Sequence, residues 1–60
     1  MNDNFDESKR KEIFRMLVDL QDRGETVEDS HQQVAAHFGI ILIELERIER
    51  EGLDKHWPPL

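Results

Sequence analysis

Apolar residues fall into three clusters, and turn-forming or charged residues separate them. In the first, Ile13, Met16, Leu17 and Leu20 recur at steps of three, one and three, which puts them on one helical face. Phe14 and Val18 widen that face, and Lys9, Arg10, Lys11 and Arg15 occupy much of the rest. Asp6 and Glu7 suit the positive end of a helix, and Gly24 supplies the left-handed residue that ends one. The pattern predicts a first helix from about Asp6 to the Asp22-Arg23-Gly24-Glu25 stop, with residues 1–5 frayed.

A second helix follows, with Val34, Ala35 and Phe38 as its later apolar face and Gly39 as its end. Thr26 is a good N-cap, with Glu28 and Asp29 in the first turn, while Ser30 with Gln33 forms an alternative capping box. The start is therefore at Val27 or near His31. A third helix runs from about Ile41 to Glu51, with Leu42, Leu45 and Ile48 as a buried stripe and Gly52 as its C-cap. Residues 53–60 end in Trp57-Pro58-Pro59-Leu60, and Pro-Pro favours an extended tail. Nothing in the pattern reads as a strand, and the expected fold is an all-α, three-helix single domain over residues 1–60.

Size and composition narrow the function classes. Sixty residues bury only about 60% of the surface the unfolded chain exposes, so stability is marginal without an efficient core or oligomerisation. The absence of cysteine removes disulfides and zinc–thiolate sites. No apolar run reaches the roughly 20 residues that span a bilayer, and the acidic start lacks the apolar core of a signal peptide. A cytoplasmic protein with no membrane contact is the expectation. The net charge of −6 argues against simple nucleic-acid binding, although a local basic face can act within an acidic chain.

One constellation agrees with a helix-turn-helix at the centre of the domain. In that motif two helices cross at roughly 90–120° over a tight turn. Ala35 is small where the helices approach, Gly39 tolerates positive φ in the turn, and Ile40 plugs the angle. Leu45 and Ile48, three apart, face inward, and Val34 with Phe38 completes the wedge.

"VAAHFGI" followed by "LERIEREGL" resembles the helix-turn-helix of sigma-factor region four and related small bacterial regulators. The residues that carry the resemblance are Ala35, Phe38, Gly39 and Ile40, then Arg47-Ile48-Glu49. It covers about Thr26 to Leu53, just under half the chain. The ending "EREGLDKHWPPL" resembles the tail of small bacterial helix-turn-helix proteins. The resemblance implies a DNA-binding, transcription-associated regulator, with Ile41, Ile43, Glu44, Glu46, Arg47 and Arg50 facing DNA. Arg47 and Arg50, with Lys9 and Arg10 on the first helix, would contact phosphate, and Glu46 would accept from cytosine.

Departures from the family pattern support a second expectation. Family members place Ser or Thr after the turn and polar residues in the first turn of the reading helix, whereas Ile41, Leu42 and Ile43 stand here. Monomers seldom expose contiguous apolar surface, and burying two isoleucines contributes on the order of 3–5 kcal/mol before association costs. Ile41, Leu42 and Ile43 are thus candidate interface residues of a protein-interaction or self-assembly module. An acidic mimic that occupies a DNA-binding partner is a third expectation.

Each sharper reading has a plainer one beside it. The plainer expectation for Arg47 and Arg50 is ion pairing with Glu46, Glu49 or Glu51 at helical spacing instead of phosphate contact. For Lys9, Arg10, Lys11 and Arg15 it is a solvated face balanced by Asp6, Glu7 and Glu12. Glu28-x-x-His31 matches one step of a carboxylate-bridged metal site, but one copy does not make a site. His31, His37 and His56 lack metal-ligand spacing. No nucleophilic triad or phosphate loop is present, so neither an enzyme nor a cofactor or small-molecule substrate is expected. Trp57 either anchors an interface or folds back with Leu53 and Leu60 onto the core.

Overall fold

The computed structural model describes residues 5–60 and contains three helices: α1 (Glu7–Asp22), α2 (Val27–Phe38) and α3 (Leu42–Lys55). The described residues include no strand, so the domain is all-α. Side-chain caps start the first two helices. The Lys9 amide donates to Asp6 at 2.8 Å and the Asp29 amide donates to Thr26 Oγ1 at 3.0 Å. Thr26 is thus the cap, and α2 starts at Val27. Ser30 is fully buried instead of capping: its hydroxyl donates to the Val27 carbonyl and accepts from Gln21, which satisfies it inside the core.

All three helices end on a carbonyl that receives an amide five residues later: Leu20 from Glu25, Ala35 from Ile40, and Gly52 from Trp57. After α2 and α3 this closing turn carries the donating residue back to the core, whereas Glu25 after α1 stays exposed. After α2, Gly39 adopts φ 69° and Ile40 packs against the core. After α3, His56 takes the same left-handed conformation at φ 55°, and Trp57 is buried.

The core is Ile13, Phe14 and Leu17 from α1, Val34 from α2, Leu45 and Ile48 from α3, and Trp57. Leu42, expected in this stripe, is 46% exposed and does not pack on the core. Phe5 packs against the core, so fraying does not extend to it, and residues 1–4 of the expected frayed segment lie outside the described residues.

Two expectations for the end of the chain are corrected. Gly52 does not cap α3; it lies buried inside it, and the helix continues through Leu53 to Lys55 before the turn at His56. The expected extended tail is not present: Trp57 is buried, and the Leu60 amide closes a turn by donating to the Trp57 carbonyl at 3.0 Å. The physical reason is Phe14, whose ring rests directly on the α3 backbone. A Cβ at position 52 would fall 2.6 Å from Phe14 Cγ, well inside van der Waals contact. Trp57 folds back onto that ring edge-on, with centroids 6.1 Å apart. Leu53 and Leu60, expected to accompany it, remain exposed.

Gly52→Ala tests this packing, because two effects oppose each other. Alanine in a helix interior is favoured over glycine by about 1 kcal/mol. Overpacking in the core costs about 1–3 kcal/mol, and the Phe14 ring it would press on is 1% exposed. A net loss of stability in urea unfolding is expected. A raised midpoint would show that Phe14 does not sit on the α3 backbone.

Candidate functional site

The outer side of α3 carries the residues that the resemblance placed toward DNA. Ile41 occupies the N-cap position without a side-chain hydrogen bond. Ile41 is 67% exposed and Ile43 61%, so the apolar run after the turn does face solvent. Farther along, Leu53 is 52% exposed. Glu46, Arg47 and Arg50 are exposed between them, and with Ile43 and Leu53 they line a shallow groove bordered by His31 of α2.

Arg47 and Arg50 form no ion pair within 4.0 Å among the described residues, so their expected pairing with neighbouring glutamates is absent. The neighbours are used otherwise. Glu49 meets His31 across the α2–α3 junction at 3.0 Å, and Glu51 meets Arg10 and Lys55. His31 thus faces Glu49 and not the Glu28 of its own helix. No group of three or more metal-ligating side chains occurs among the described residues.

Arg10 is removed from the phosphate-contact set. Its Nε donates to Glu51 Oε1 at 2.9 Å, its Nη2 to Oε2 at 3.2 Å, and its Nη1 to the Phe5 carbonyl at 2.6 Å. All three guanidinium nitrogens are committed to bonds that tie α1 to α3. Lys9 is exposed, pairs with Glu12 at 3.2 Å and lies 5.8 Å from the Phe38 ring centre. Lys11 pairs with Glu7 at 3.8 Å, so the basic side of α1 is largely balanced locally.

The electrostatics of the motif oppose a duplex. Together α2 and α3 hold seven carboxylates and three cations, a balance of −4, whereas α1 holds four of each. The start of α2, where a helix amide end can meet phosphate, is already capped by Thr26 and carries Glu28 and Asp29. No family model, characterised protein or solved structure matches the chain.

The Arg10–Glu51 pair was not visible in the sequence, since its partners stand 41 residues apart. Its bidentate geometry gives it more weight than an ordinary surface pair. The Arg10 hydrogen bond, followed by that from Lys55, holds the Glu51 carboxyl below the usual carboxylate range. The same bond pushes the Arg10 guanidinium up against partial desolvation.

A carboxyl lowered in the fold contributes stability above its unfolded value of about 4.3, and that contribution is lost as pH falls through the folded value. Glu51→Gln should therefore lower the urea midpoint near neutrality. It should also flatten the loss of stability between about pH 5 and about pH 3. Parallel pH curves for wild type and variant would contradict the pairing.

Proposed function

We propose that this domain is a protein-interaction module on a helix-turn-helix scaffold, with α3 meeting protein instead of reading a duplex. The observation that carries this reading is the solvent exposure of Ile41, Leu42 and Ile43 at the position where a reading helix presents polar side chains. Uncharged, branched side chains there offer no donor to guanine or phosphate, and adjacent Glu44 and Glu46 repel the backbone. The same surface suits an apolar strip bordered by charges of both signs. Its role is binding, with no catalytic step.

DNA binding by a transcription-associated regulator is the second reading, favoured by one observation. Arg47 and Arg50 are exposed on α3 with no ion-pair partner among the described residues. Phosphate contact by these two would leave affinity weak and steeply salt-dependent.

Fluorescence anisotropy of a labelled duplex of mixed sequence, titrated with the domain at about 50 mM salt, separates the readings. The protein-interaction reading expects no saturable binding up to about 100 µM, where non-specific duplex binders respond. Binding that weakens steeply with salt and is reduced by Arg47→Glu would overturn it.

A further inference from the structure

On α3, Ile43, Glu46, Arg50 and Leu53 follow one another at steps of three, four and three, the spacing of a helix–helix seam. All four are exposed and line the same groove. Their order is apolar, acidic, basic, apolar. Read from the opposite end it is apolar, basic, acidic, apolar, the complement of itself.

We propose that the occupant of this face is a second copy of the chain, its α3 lying antiparallel across a two-fold axis near Ile48. The proposal rests on the protein-interaction reading and names the partner. In this register Ile43 meets Leu53 of the second copy, and Glu46 meets Arg50. The two-fold repeats each contact, giving two apolar pairs outside and two ion pairs between them. A parallel arrangement would set Glu46 against Glu46 and Arg50 against Arg50, which like-charge repulsion disfavours.

Charge is available for this pairing. Glu46 and Arg50 stand four apart on one helix, yet neither forms an ion pair within its own chain among the described residues. Neighbouring charged groups that could compete are engaged elsewhere, since Glu49 holds His31 and Glu51 holds Arg10 and Lys55. The inner side of α3 is filled by Leu45, Ile48 and Gly52, so the outer stripe is the side left for a partner helix.

Size sets the strength. A helix of 14 residues is about 21 Å long, and one such pair covers less than the ~800 Å² per partner of a standard interface. The dimer is therefore weak, with dissociation in the micromolar to millimolar range.

Sedimentation velocity from about 10 µM to about 1 mM tests it with three samples. The wild-type chain should move toward twice the chain mass with rising concentration. Glu46→Arg and Arg50→Glu, each alone, set like charges across the axis and should weaken association at least tenfold. An equimolar mixture of the two restores opposite charges at both contacts and should associate at least as strongly as wild type. Both substitutions are on exposed helix positions, and circular dichroism checks that the fold is kept. A wild-type chain that stays monomeric throughout would overturn self-pairing, while the duplex titration would still decide independently between protein and DNA. A dimer indifferent to the single reversals, or a mixture that fails to recover, would overturn the antiparallel register.

Discussion

The packing of the Phe14 ring on the bare backbone at Gly52 is the contact on which the rest of the domain depends. Only a residue without a side chain lets α1 approach α3 this closely. The approach brings Ile13 and Leu17 onto Leu45 and Ile48, and it leaves a site beside the ring that Trp57 closes edge-on. In a domain this small, two aromatic rings in mutual contact form a large share of the core. Arg10 and Glu51 then bridge the same two helices at the margin, where the helices are already held together.

That arrangement also determines what α3 can offer to the outside. Its inner side is consumed by α1 and α2, and the turn at Gly39 and Ile40 orients it so that Ile41, Leu42 and Ile43 emerge into solvent. A reading helix would carry donors at those positions and a positive surround. Here the surround is acidic, and one of the four basic residues of α1 is committed to a carboxylate of α3. The proposed protein contact rests on this surface chemistry and not on the fold, the usual separation between a fold and the site placed on it.

Much of the fold was legible in the residue pattern because it is specified locally. Apolar spacing gave the α1 and α3 faces, and Asp6, Thr26, Gly24 and Gly39 mark ends whose chemistry lies within a few residues. The misses involve contacts between distant segments. Gly52 satisfies the local rule for a helix end as well as Gly39 does, and only the position of Phe14 shows that the two glycines serve different purposes. His56 stands in the left-handed conformation where glycine was expected, because Trp57 must turn inward immediately after it. Arg10 looked like a member of a basic cluster until the fold brought Glu51 to it. The exposure of Ile41 and Ile43 was legible as a departure from the family pattern, whereas the complementarity of the Ile43–Leu53 stripe required knowing that Gly52 is helical and Leu53 outward.

Self-pairing through the outer stripe of α3 leaves the core of each copy unchanged. A dilution series followed by backbone amide NMR tests it most directly. Self-pairing gives concentration-dependent shifts centred on Ile43, Glu46, Arg50 and Leu53, with amides of Ile13, Phe14, Leu17 and Val34 unmoved. Shifts absent over the whole range, or centred on α1, would contradict it.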